Sequence, residues 1–212
     1  MDNWIKLSIF AEKKMKKIYI TMVMFAAFGS IACKSNTNQQ DKQVTPVEKT
    51  DGEKFAEAYQ NMDWETVVAI GDTLIDDNDT MNLTIAYAEA LAATGNPQKA
   101  LSVLDKKLES YPDDYYLYQT KGNVYCVMEE YDSALICYDK VIEMKPSNAR
   151  PYINEGAIYE LRGDNERAIA NYLVAAKLFA SHNYHQEANE FASRVLNLDS
   201  TNVEAKEILG IE

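Results

Sequence analysis

The stretch Lys121–Pro146, KGNVYCVMEEYDSALICYDKVIEMKP, places a glycine inside a segment that otherwise reads as an amphipathic helix. Thirty-four residues later, EGAIYELRGDNERAIANYLVAAK repeats the arrangement. Glycine within a helix costs about 0.5–1 kcal/mol relative to alanine, so its recurrence at one place demands a compensating gain. Set against itself at an offset of 34, the chain aligns Tyr118 with Tyr152, Gly122 with Gly156, Tyr125 with Tyr159, Ala134 with Ala168 and Tyr138 with Tyr172. One step earlier, Ala88 meets Gly122, Ala100 meets Ala134 and Pro112 meets Pro146. A fixed period of this length marks a stacked-repeat architecture.

Within each period two amphipathic runs flank a break. Gly95-Asn96-Pro97, Glu130-Tyr131-Asp132 and Gly163-Asp164-Asn165 are the breaks, with Asp132, Asp164 and Asn165 as candidate helix N-caps. Tyr118, Gly122 and Tyr125 on the first run, and Ala134, Leu135, Tyr138, Val141 and Ile142 on the second, follow the i, i+3, i+4, i+7 spacing of one helical face. The unit is therefore a helix hairpin. Gly122 and Gly156 are expected to face Ala134 and Ala168, letting the two helices approach closely while tyrosines fill the grooves between hairpins.

The pattern Tyr118, Gly122, Tyr125, Ala134, Tyr138, Pro146 resembles the tetratricopeptide repeat, and it returns as Tyr152, Gly156, Tyr159, Ala168 and Tyr172, with Ala180 in place of the proline. The match is strong over residues 81–180 and weaker over 52–80, which is one residue short and has Gly71 at an aromatic position. The resemblance implies an all-α fold: a right-handed solenoid of hairpins at 52–80, 81–114, 115–148 and 149–182, with a cap at 183–212. In that cap, Tyr172, Ala176 and Phe179 also read as a first helix whose partner carries Ala188, Ala192 and Val195, so that one helix serves two units. An unpaired helix at about 184–198 and a short lid, Val203 to Leu209, are expected; a lid with a polar outer face keeps a solenoid soluble.

The N-terminus reads as an address. Met15–Cys33, MKKIYITMVMFAAFGSIAC, runs from a basic start through fifteen mostly apolar residues, Ile18 to Ala32, to small residues before a cysteine. That length suits a signal peptide and falls short of the ~18–20 residues of a spanning helix. Ser30-Ile31-Ala32-Cys33 resembles a bacterial lipobox, with Ser30 where leucine is usual, which would make Cys33 the lipidated residue. Residues 1–32 are thus expected to be a signal peptide, with Met15 an alternative start. Residues 33–51 are polar and too poor in apolar surface to order themselves, and so form a tether. Lys34 after the cysteine resembles the sorting pattern of outer-membrane lipoproteins, implying the periplasmic face of that membrane, with the cell surface as the alternative.

Charge narrows the partners. The chain has 21 basic and 33 acidic residues, a net charge of −12, and since residues 1–32 carry five basic and two acidic side chains the remainder stands at −15. Such a field repels a phosphate backbone, so no nucleic acid is expected. Cys126 and Cys137 read as two buried thiols rather than a disulfide. His182, His185 and Glu187 lack a further ligand at metal-binding spacing, and Asp76–Thr80 lacks the glycine and glutamate of a calcium loop. No nucleophile elbow, phosphate loop or paired-acid signature is present, and neither catalysis nor a cofactor or metal is expected.

A second stripe runs beside the core stripe on each first helix: Asn82, Ile85 and Glu89; Tyr116, Gln119 and Asn123; Arg150, Ile153 and Ala157. By resemblance to the family, this stripe lines the concave surface that holds a partner's peptide or helix. Asn123 and Asn154 match two asparagines with which some members clamp a peptide's C-terminal carboxylate, whereas Gln119 stands where that clamp has lysine. The reading that results is a lipid-anchored interaction scaffold of the bacterial envelope with a protein or peptide partner. A homodimer seam through Tyr184, Phe191 and the terminal helix is the alternative, and a small-ligand carrier or enzyme a distant third.

Overall fold

Two kinds of turn alternate along the chain, and they cut it into helix hairpins. The computed structural model describes residues 49–75 and 80–211, which divide into two compact bodies, one ending at Met128 and the other beginning at Glu129. In the first body lie α1 (Asp51–Gln60), α2 (Trp64–Leu74), α3 (Met81–Ala93), α4 (Pro97–Ser110) and α5 (Tyr115–Val127). The second holds α6 (Tyr131–Met144), α7 (Ala149–Leu161), α8 (Asn165–Ser181), α9 (His185–Leu198) and α10 (Val203–Leu209). No strand occurs among the described residues, and the all-α hairpin architecture expected from the period is what the helices form. The proposed signal peptide, Cys33, most of the tether and Asp76–Asp79 lie outside the described residues.

Inside a hairpin the turn is short and left-handed at its centre. Met62, Gly95, Gly163 and Asn183 have φ of 56°, 82°, 76° and 63°. In each case the next N–H reaches back over the turn, Asp63 to the Ala58 carbonyl at 2.9 Å, Asn96 to Leu91 at 2.8 Å, Asp164 to Tyr159 at 2.9 Å and Tyr184 to Phe179 at 3.0 Å. These are Schellman closures, which satisfy the orphan carbonyls of the first helix and reverse the chain at once. Between hairpins the chain instead makes a four-residue bend: the N–H of Asp114, Asn148 and Asn202 donates to Tyr111, Lys145 and Asp199. Those same three residues are N-caps, their side chains accepting from Leu117, Arg150 and Ala205 backbone N–H groups, so one residue ends a turn and starts a helix.

Asp164 is the N-cap the sequence suggested, with its carboxylate on the Arg167 N–H at 3.1 Å. Asp132 and Asn165 are not caps. Asp132 sits inside the first turn of α6 and accepts from the Arg162 guanidinium at 2.6 Å, and Asn165 is the first residue of α8 itself.

The turn type also settles the C-terminal end. The α8–α9 connection has the left-handed centre of a hairpin and the α9–α10 connection has the four-residue bend, so α8 pairs with α7 on one flank and with α9 on the other. One helix does serve two units. The helix expected to be unpaired, found at His185–Leu198, packs along α8 and is covered by α10, where Ala205 is fully buried. Phe191 departs from the expectation of an exposed seam. It turns inward and stacks on Phe179 at 5.8 Å and Tyr172 at 5.9 Å between ring centroids, because the apolar stripe of α9 faces α8.

Gly156 has a reason other than the one anticipated. A Cβ on Gly156 would meet the Tyr172 ring first, at 2.7 Å from Cε1 and 2.8 Å from Cδ1, ahead of Ala168. Gly156 therefore makes room for a ring that is fully buried, and Ala168 packs one turn away. Gly71 does the same for Tyr87, whose ring lies where a side chain at 71 would project; this accounts for a glycine at an aromatic position in the short first unit. Fully burying a large apolar side chain contributes about 1.5–3 kcal/mol, which exceeds the 0.5–1 kcal/mol that a helical glycine costs.

Gly156→Ala should accordingly destabilise the protein by about 1–3 kcal/mol despite alanine's better helix propensity, as an overpacked core does. Gly52→Ala in α1, where nothing lies within 4 Å of the added methyl, should be neutral or slightly stabilising. Denaturant unfolding of the two variants side by side measures the difference.

Candidate functional site

The stripe on the first helices goes from open to closed along each helix. On α3, Asn82 is exposed, Ile85 half-buried and Glu89 only 3% exposed. On α5, Tyr116 is 41% exposed while Gln119 and Asn123 are buried. On α7, Arg150 is half-buried and Ile153, Asn154 and Ala157 are buried. The structure thus places the N-terminal turns of these helices at the surface and sinks the following turns. In the first body α3 and α5 pack against each other, so their two stripes lie on neighbouring helices.

The polar members divide by partner. Glu89 accepts a 2.5 Å hydrogen bond on Oε2 from the Tyr59 hydroxyl of α1, so a buried carboxylate is tied to a phenol from the preceding hairpin. Tyr59 in turn meets the Trp64 ring edge-on at 5.8 Å, which fixes its reach. Gln119 differs: its amide oxygen is buried and has no hydrogen-bond donor. A buried acceptor without a donor costs about 1–3 kcal/mol, and native structures keep few of them. Tyr116, three residues before it, lies tilted against Tyr115 with ring centroids 4.1 Å apart and leaves much of its ring in solvent.

Charged groups around the hairpins are organised as ties between helices. Asp72 on α2 accepts from the Tyr87 hydroxyl and, at 2.6 Å, from Lys99, whose ammonium also lies 5.6 Å from the Tyr87 ring centre. The Lys99 hydrogen bond, followed by that of Tyr87, holds the Asp72 carboxyl below its usual range, while burial pushes the Tyr87 phenol up. In the second body Glu160 on α7 accepts from Tyr172 of α8 and from Arg194 of α9, both at 2.9 Å, and the Arg194 guanidinium lies 4.8 Å from the Tyr172 ring. Sequence reasoning did not find these ties, since the repeat pattern marks Tyr172 only as a ring and Asp72, Lys99, Glu160 and Arg194 carry no motif.

The remaining candidates are quickly placed. Cys126 and Cys137 are buried and are not joined in a disulfide. His182 sits at the α8–α9 turn with Nδ1 2.7 Å from the Leu178 carbonyl, and no group of three metal-ligating side chains occurs among the described residues. Among the same residues no helix is long and apolar enough to cross a membrane.

Comparison with known proteins agrees with this geometry. The tetratricopeptide-repeat family model matches residues 81–124, which span α3, α4 and most of α5. The ER membrane protein complex subunit 2-A of Xenopus laevis is 28% identical over 119 residues, covering 53% of this chain and 39% of that protein. The chain therefore spans about two fifths of the length of that curated relative. Among solved structures, the MamA RS-1 ArsTM double mutant superposes with a TM-score of 0.54 at 21% identity, covering 76% of this chain and 93% of the other. TTC0263, a thermophilic TPR protein in Thermus thermophilus, gives 0.52 at 15% identity, covering 74% and 94%. Residues 81–124 match the tetratricopeptide-repeat model, and the described helices carry the fold of tetratricopeptide-repeat proteins.

Proposed function

We propose that the protein is a lipid-anchored scaffold of the bacterial envelope that holds a protein partner's peptide or helix on the first-helix stripe. The fold supports protein–protein interaction in general. The observation that carries the peptide site is Gln119: an acceptor buried without a donor, beside an exposed aromatic ring, is relieved when a peptide N–H arrives. Tyr116 then supplies apolar contact at small ordering cost, and Asn82 on the neighbouring helix of the same body supplies a polar edge. Asn123, being buried, acts from the floor of the stripe in the first body. The inward turn of Phe191 speaks against a dimer seam through α9.

The address rests on the lipobox-like Ser30–Cys33 and the polar tether after it. Cys33 would carry the lipid, and Lys34 favours an anchor in the outer membrane, facing the periplasm. The net charge of −12 suits a partner segment with basic residues better than an acidic one. A role without catalysis fits a chain whose candidate polar residues serve as helix ties and stripe contacts.

Two measurements test the reading. Gln119→Leu removes the unsatisfied acceptor, so it should hold or raise the melting temperature while partner capture from envelope extracts falls at least severalfold; capture unchanged in both Gln119→Leu and Tyr116→Ala would remove the peptide site. Cys33→Ser should abolish fatty-acid labelling of the full chain and shift it from the membrane fraction to the soluble one. Labelling that persists in the variant would remove the anchor.

A further inference from the structure

Three junctions between successive hairpins share one register. Asp72 on α2 meets Tyr87 on α3, and Asp105 on α4 meets Lys121 on α5 with Nζ 2.5 Å from Oδ1. By the same register Asp139 on α6 stands opposite Glu155 on α7, two helices that pack against each other. Tyr87, Lys121 and Glu155 are spaced by 34, as are Asp105 and Asp139, while Asp72 precedes Asp105 by 33 because the first unit is one residue short. An aspartate at the same place in the second helix thus receives a hydroxyl, then an ammonium, and then a second carboxyl. Two carboxylates cannot hold each other there without a proton, and Glu155 is only 6% exposed, with its Oε1 lacking any donor.

We propose that the α6–α7 junction is fastened by a single proton held between Asp139 and Glu155, and that it loosens when rising pH removes that proton. The charged and titratable groups of the neighbouring helices hold partners of their own. On α7 itself Tyr152 lies near Glu155 and is pushed up by burial and then by the Glu155 charge. On α6, Lys140 pairs with Glu143 at 2.6 Å. From α8, Tyr172 donates to Glu160 and Arg167 pairs with Asp164, and from α9 Arg194 is committed to Glu160. Burial first, and Asp139 second, push the Glu155 carboxyl up to about 8.

The sign follows from linkage. Glu155 has a folded value above its ordinary 4.5, so the folded junction binds more protons than the open one between these values. Its stabilisation is complete below about 4.5, declines as pH rises through the window to about 8, and is constant above it. Because α7 carries Arg150, Ile153, Asn154 and Ala157, the same proton governs whether that part of the stripe stays in place.

Hydrogen exchange of the α7 amides, corrected for intrinsic base catalysis and read with thermal melting of the full chain, tests this. From pH 6 to pH 8 the opening equilibrium of α7 in the wild type should rise at least about tenfold, then level off. Glu155→Gln should flatten that dependence. Glu155→Lys, which copies the Lys121–Asp105 pair, should flatten it and also lower the opening at pH 8. A flat wild-type profile, or an unchanged slope in Glu155→Gln, would overturn the proposal, and each variant reports separately if the other does not fold.

Discussion

A tyrosine ring laid against a bare glycine is the contact on which both bodies depend. Tyr87 over Gly71 and Tyr172 over Gly156 bring neighbouring helices to a separation at which a Cβ on either glycine would run into the ring. Both rings are buried to within 1% and both send their hydroxyl outward to a carboxylate, Asp72 or Glu160, which a cation then covers. Packing and polar satisfaction are thus met by one side chain: the ring fills the crossing and the hydroxyl avoids an orphaned donor. The helical glycine is tolerated because the ring it admits gives more than it costs.

Given that contact, the turns need only reverse the chain reproducibly. The hairpin turn reaches its left-handed centre with glycine at Gly95 and Gly163 but with side chains at Met62 and Asn183, so the closure tolerates the strain of a non-glycine residue there. The bend between hairpins relies on caps, Asp114, Asn148 and Asn202, each holding its helix start by an Asx-type bond. Local chemistry therefore sets the alternation, and the stripe of open first turns follows from it.

Much of this was legible because a period repeats its errors as well as its matches. The offset of 34 located the hairpins, and the double use of Tyr172, Ala176 and Phe179 located the shared helix. What the period could not show was which partner a glycine faces, since Ala168 and Tyr172 lie on the same face one turn apart and only the three-dimensional crossing selects the ring. Asp132 misled as a cap because its carboxylate is drawn to Arg162, thirty residues away. Phe191 misled because a phenylalanine among polar residues reads as exposed until the neighbouring helix is known to be there. In the stripe, the sequence distinguished the line of residues but not its depth: burial of Glu89, Gln119 and Asn154 depends on packing that spacing does not encode.

The single carboxylate of Glu160 collects a phenol from α8 and a guanidinium from α9 while rooted on α7. Helices bound at one atom cannot part in sequence order, since freeing any of them strands a charge or a hydroxyl. Ala149 to Leu198 are therefore coupled through one carboxylate, so that loosening at the α6–α7 junction is passed on to α8 and α9 rather than absorbed by a single hairpin.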